Sequence, residues 1–190
     1  MIIGVCGYTD KRPIIYPLLK LLQSTGDVVL ISNNRHYKRL LEDKSNLGHM
    51  SNILISISDS SPDEIFEEIG YDSDDFDHII FDIQESLPDY VDLMLYVKSF
   101  EPDEEELSFL DLIDKYETVK ITFDRQPEKG AINVSPDIGI WETIEIIEHN
   151  LVLEPIPSNQ LTNGLSKLMA PELKMPAKSV KKLLNKRWKL

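Results

Sequence analysis

Side chains able to act as nucleophiles, metal ligands or acid–base groups are present, but their spacing restricts what they can do. Cys6 is the only cysteine, so the chain forms no internal disulfide and offers zinc no pair of thiolates. The four histidines, His36, His49, His78 and His149, are scattered and share no ligand spacing; surface or packing roles are expected of them. Serine, histidine and aspartate all occur, yet no Gly-x-Ser-x-Gly elbow does, which leaves a hydrolase triad without support. The acidic runs Asp72 to Asp77 and Asp103 to Glu106 lack the spacing and the glycine of a calcium loop. They are read as a solvated loop and as the acidic first turn of a helix. No metal site is predicted.

Charge is divided unevenly along the chain. The net charge is -13, but residues 1–165 hold 12 basic against 32 acidic side chains, whereas residues 166–190 hold 8 against 1. An acidic globule with a basic tail argues against nonspecific nucleic-acid binding by the body and marks the tail as an interaction segment. No stretch reaches the roughly 18 unbroken apolar residues of a spanning helix, and the opening residues lack the basic flank of a signal peptide. A cytoplasmic protein is expected.

The elements that must position these residues follow from hydrophobic patterning. Apolar runs without alternation, as in strands buried on both faces, cover Ile2–Cys6, Asp27–Ile31, Asn52–Ile57, His78–Asp82, Leu93–Val97, Val119–Phe123 and Ala131–Val134. Helical periodicity falls between them, over Leu18–Leu22, His36–Leu41, Pro62–Ile69, Glu104–Tyr116 and Ile140–His149. Ser61-Pro62-Asp63-Glu64 carries a capping serine, a first-turn proline and an acid three positions on, a helix start. Gly70–Asp77 reads as a loop and Pro155–Asn163 as the exit from the domain. Pro171 and Pro176 bracket a connector to a helix over Lys178–Leu190. The predicted fold is α/β: a three-layer, mostly parallel sheet with helices on both faces over residues 1–155, and an extension over 156–190 ending in a basic amphipathic helix.

The first strand ends in glycine, Ile2-Ile3-Gly4-Val5-Cys6-Gly7, and leads into a loop and helix. Later come Asp77-His78-Ile79-Ile80-Phe81-Asp82, Asp92-Leu93-Met94-Leu95-Tyr96-Val97 and Val119-Lys120-Ile121-Thr122-Phe123-Asp124-Arg125. In order and spacing this series resembles the MinD/ParA family, the deviant-Walker-A or SIMIBI class of P-loop NTPases, over about residues 1–150. The resemblance implies a nucleotide site formed by Gly7, Lys11, Arg12 and Asp82, with Asp82 as the Walker B carboxylate that serves magnesium through water.

The departures from that pattern are chemical. A phosphate loop needs successive free backbone N–H groups, glycines, a lysine for the β and γ phosphates and a hydroxyl for magnesium. Here the stretch is Gly7-Tyr8-Thr9-Asp10-Lys11-Arg12-Pro13-Ile14-Ile15-Tyr16-Pro17, with no second glycine and no Gly-Lys-Ser/Thr tripeptide. Pro13 and Pro17 have no N–H, and Asp10 brings negative charge to where phosphate would lie, offset in part by Lys11 and Arg12. About ten residues separate Asp82 from Asp92, little room for an intervening helix. A receiver-like reading, with Asp59 and Asp82 after apolar strands, fails because Gly7-Tyr8 stands where two adjacent acids are required.

On a helical projection from Val180, the residues Val180, Leu183, Leu184, Trp188 and Leu190 fill a sector of about 160°, opposite Lys178, Lys181, Lys182, Lys186 and Lys189. Such a stripe suits anionic headgroups. By resemblance to MinD-like proteins, which carry a C-terminal membrane-targeting helix, the binding face comprises Val180, Lys181, Lys182, Leu183, Leu184, Lys186, Arg187 and Trp188. The same stripe also suits packing on the acidic domain.

The function expected is that of a non-catalytic, degenerate MinD/ParA-like protein that scaffolds or positions a membrane-associated machine such as a pilus or secretion apparatus, as TadZ/CpaE-like proteins do. Its partners would be a second copy, a protein of that machine, or anionic lipid at the inner face of the membrane; nucleic acid is not expected. No cofactor is expected on this reading. The alternatives are a divergent ATPase that uses ATP and magnesium as a switch, and a plain soluble interaction module whose tail docks on its own domain.

Overall fold

The computed structural model describes residues 1–62, 64–83, 87–124 and 127–186. Its centre is an eight-stranded sheet with spatial order β3-β4-β2-β5-β1-β6-β7-β8. The strands are β1 (Ile2–Cys6), β2 (Val28–Ser32), β3 (Leu47–Met50), β4 (Ile53–Ile57), β5 (His78–Ile83), β6 (Leu93–Lys98), β7 (Thr118–Thr122) and β8 (Ile132–Asn133). All pairings are parallel except that of β3 with β4. The helices are α1 (Arg12–Leu22), α2 (Ile65–Ile69), α3 (Glu104–Ile113), α4 (Ile138–Asn150), α5 (Asn159–Glu172) and α6 (Ala177–Asn185).

Alternation along each strand sends side chains to two separate cores. Ile3 and Val5 of β1, Val28 and Leu30 of β2 and Leu95 and Val97 of β6 pack with α1, α4, α5 and α6. Cys6, Val29, Ile31, Met94 and Tyr96 pack with α2 and α3 on the opposite face. The three-layer α/β arrangement is therefore present, with its heavier layer on the α1 side. Every residue of α1 from Pro13 to Leu22 is buried. A helix apolar all round suits that position, enclosed between sheet and outer helices.

Several elements differ from the sequence expectation, each for a local reason. α1 starts at Arg12, six residues earlier than Leu18, because Pro13 fits its first turn and Pro17 is accommodated inside it. The segment expected to leave the domain instead begins α5 at Asn159, capped by the Ser158 hydroxyl accepting from the Leu161 N–H at 3.2 Å. Pro171 lies inside α5, and Leu161, Leu165 and Met169, four apart, enter the same core as β1. Gly164 permits this approach: a Cβ there would stand 2.4 Å from Ile132 Cγ2 of β8. The antiparallel edge strand β3 was not expected, and β5 passes to β6 without a helix among the described residues. The helix start at Ser61 lies further on, at Ile65, while Ser61 donates through its hydroxyl to Glu64 at 2.8 Å; Asp63 is outside the described residues.

The last helix, expected over Lys178–Leu190, covers Ala177–Asn185 among the described residues. Val180 is fully buried and Leu184 is 5% exposed, both within the α1-side core, and Leu183 packs against it. Lys181 donates to Asn163 Oδ1 of α5 at 2.7 Å. Arg187, Trp188, Lys189 and Leu190 lie outside the described residues. No helix among the described residues is long and apolar enough to cross a membrane.

Candidate functional site

The central strand β1 runs between β5 and β6, so the turn after it opens where chain connections diverge to either side of the sheet. In parallel α/β sheets this end is where ligands bind. Val5 stands opposite Asp82 of β5, and Ser32 of β2 stands opposite the same aspartate. Asp82 shares a strand face with Ile80, whose side chain enters the α1-side core, so its carboxylate is directed under the start of α1.

Gly7 makes the turn. Its φ is +124°, and an added Cβ would meet the Val97 carbonyl oxygen of β6 at 2.1 Å. Any side chain at this position requires β1 and β6 to separate. The chain then doubles back, bringing Lys11 over the strand end, where its ammonium donates to the Gly7 carbonyl at 2.8 Å and pairs with Asp82 Oδ1 at 2.9 Å. The side chains of the pair are 1% and 0% exposed. The Ser32 hydroxyl donates to Asp82 Oδ2 at 2.8 Å and accepts from the Asn34 N–H at 2.9 Å. Tyr37, on the 3-10 helix Arg35–Leu40, is buried beside this group; burial and then the negative charge of Asp82 hold its phenol well above the ordinary value.

Arg12 turns away from Lys11. It chelates Asp10, with Nη2 to Oδ2 at 2.6 Å and Nε to Oδ1 at 3.0 Å, and donates from Nη1 to Glu148 Oε1 of α4 at 2.7 Å. Burial opposes its charge, but these hydrogen bonds outweigh burial and raise its pKa further. Glu148 also accepts from Tyr16 Oη at 2.7 Å and from Arg39 at 3.0 Å. Burial, then the Glu148 charge, raises the Tyr16 phenol strongly. Thus α1, α4 and the Arg35–Leu40 helix are tied at one carboxylate.

Sequence reasoning named Gly7, Lys11, Arg12 and Asp82; the structure places Lys11 against Gly7 and Asp82, whereas the Arg12 side chain joins Asp10 and Glu148 instead. Sequence reasoning missed Ser32, Tyr37, Arg39 and Glu148. A hydroxyl ending an apolar strand marked Ser32, but Glu148 carries no local signal, since its partner Arg12 lies 136 positions away. Asp59, the other acid at a strand end, is exposed. Lys11 is held by Gly7 and Asp82 Oδ1, Asp82 Oδ2 accepts from Ser32, and the Arg12 N–H donates to Asp10 Oδ1 at 3.0 Å. Among the described residues no group of three or more His, Cys, Asp or Glu side chains forms a metal site.

No protein-family model matches the chain, and no curated protein does. Among solved structures it is similar to the MinD cell division protein of Aquifex aeolicus, at 14% identity over 97% of this chain and 87% of that one, with a TM-score of 0.44. It is also similar to a chain of the MinC:MinD cell division protein complex of Aquifex aeolicus, at 13% identity over 93% of this chain and 78% of that one, with a TM-score of 0.44. Likeness at this level does not extend to chemistry.

Proposed function

We propose that this chain is a non-catalytic scaffold on a MinD/ParA-like fold, which positions protein partners of a membrane-associated machine without a nucleotide cycle. The observation that carries this reading is the Lys11–Asp82 pair, in which the cation and the carboxylate that would serve phosphate and magnesium neutralise each other out of water. Releasing either for a ligand leaves the other charged and buried, a penalty of several kcal/mol that binding would have to overcome. Partner docking is supported by large apolar side chains left in solvent, including Phe100 and Ile138, each 74% exposed.

The test is calorimetric titration of the full chain with magnesium-ATP and magnesium-ADP. No binding heat is expected at millimolar nucleotide. Saturable binding that is lost in the paired Lys11→Met/Asp82→Leu variant would overturn the reading.

A second reading, an interaction module whose tail serves its own domain, draws on the burial of Val180 and Leu184 against α1 and α5. It expects truncation after Pro176 to lower the melting temperature and the intact chain to leave anionic vesicles unbound in flotation. Vesicle binding by the intact chain, with an undiminished melting temperature after truncation, would instead favour a membrane-facing tail.

A further inference from the structure

We propose that a polar cavity at the carboxyl ends of β2 and β4 binds a small phosphate-class oxyanion, free or as a monoester. The cavity has a volume of about 210 Å³ and is lined by Asn33, Arg35, Lys38, Asn46, Ser58 and Asp59, with Ile57. It is separate from the Lys11–Asp82 pair and shares no residue with it.

Position is the first reason. Asn33 follows the last residue of β2 and Ser58 the last of β4, two adjacent parallel strands whose ladder continues through the Ser58 N–H donating to the Ser32 carbonyl at 3.0 Å. The carboxyl ends of parallel strands form the side of an α/β sheet on which ligands are received.

Charge is the second. Arg35 and Lys38 stand three apart on a 3-10 helix, where residues i and i+3 eclipse, so both project from one side. The chain has 33 acidic side chains, yet among the described residues no ion pair or side-chain hydrogen bond engages either cation. By contrast, Arg12 and Arg39 both reach Glu148. The side-chain amides of Asn33 and Asn46 are likewise without a hydrogen-bond partner among the described residues, leaving two more sets of donors on the same cavity. A fork-shaped guanidinium, an ammonium and two carboxamides form a donor set for tetrahedral oxyanions. Asp59 is the one carboxylate on the wall; it accepts from the proton of a monoprotonated phosphate or from an ester's hydroxyl.

Rigidity is the third. Asn34 accepts from the His36 N–H at 3.0 Å, capping the helix that carries both cations, and its own N–H is held by Ser32. The backbone that carries both cations is therefore anchored to the buried Ser32–Asp82 hydrogen bond before any ligand arrives, which leaves only side chains to be ordered on binding.

The test is titration of the full chain with inorganic phosphate and, separately, with glycerol phosphate in chloride buffer, followed by calorimetry and backbone amide shifts. Saturable binding is expected, with shifts at Asn33, Asn46 and Ser58. Arg35→Gln and Lys38→Gln should each weaken it roughly tenfold or more, as for loss of one charge-assisted hydrogen bond, at unchanged melting temperature. Tighter binding of one probe identifies the source, free phosphate or ester. The proposal is overturned by no saturation below about 10 mM, a free energy weaker than roughly -3 kcal/mol. Equal affinity in both variants, or shifts confined to Gly7–Arg12, would overturn it too. Nucleotide binding lost in Arg35→Gln but kept in Lys11→Met/Asp82→Leu belongs to this cavity and leaves the scaffold reading intact.

Discussion

Lys11 Nζ lies 2.9 Å from Asp82 Oδ1, and neither side chain reaches water. Removing one member of such a pair strands the other charge, whereas removing both restores an apolar contact. Lys11→Met is expected to lower the unfolding free energy by about 3–5 kcal/mol, and Lys11→Met/Asp82→Leu to recover most of that loss. Urea unfolding of the two variants measures both values. A double variant as unstable as the single would mean that the pair holds the Gly7 turn by geometry and not by charge balance.

Lys20 presents a different case, a buried cation whose ammonium makes no hydrogen bond. It is 1% exposed on α1, its ammonium has no hydrogen bond, and it meets Glu154 and the apolar side chains Leu161, Leu165 and Leu184 of α5 and α6. Burial lowers its pKa from 10.5 to about 8, against the raising influence of Glu154. Between these values the unfolded chain binds the proton more tightly than the native one, so this group's contribution to stability rises with pH from about 8 to 10.5. Below about 8 the whole penalty persists. Lys20→Met is therefore expected to be more stable than the natural chain by up to about 3 kcal/mol at pH 7, with the gap closing by pH 10. Parallel urea titrations at the two pH values decide this; a less stable variant at pH 7 contradicts it.

Cys6 should be chemically silent in the native protein. Burial pushes its thiol up to about 12, against the lowering influence of Lys11, and Sγ donates to the Leu95 carbonyl at 3.4 Å. Thiolate is the reactive form. A colorimetric disulfide reagent at pH 8 is expected to react only as fast as the chain unfolds globally, and at once in denaturant. A fast native reaction would show that β1 opens locally beside β6.

The parallel strands were legible in the sequence because burial on both faces leaves unbroken apolar runs such as Val28 to Ile31, independent of their partners. β3 was not, because Leu47-Gly48-His49-Met50 is held only along one edge and leaves Leu47 and His49 exposed. α5 was hidden by Gly164 and Pro171, which read as loop signals, although Ser158 and the four-residue spacing of Leu161, Leu165 and Met169 marked it. At the site, the glycine turn and strand-end aspartate identified Gly7 and Asp82. The pairing of Lys11 with Asp82 depends on where the turn folds back, and the role of Glu148 on which helix packs beside α1. Both are tertiary facts with no local sequence mark.

The place of β1 has a consequence for biosynthesis. This strand is made before both of its neighbours, β5 from His78 and β6 from Leu93, yet it lies in the interior of the sheet. At translation rates of about 5–20 residues per second, Ile2–Cys6 waits on the order of ten seconds, both edges open, before the ribosome releases its partners. During that interval the nascent chain presents an apolar template to any other unpaired strand nearby. Topology thus leaves Ile2–Cys6 without either of its sheet neighbours until β5 and β6 emerge, before the finished molecule exists.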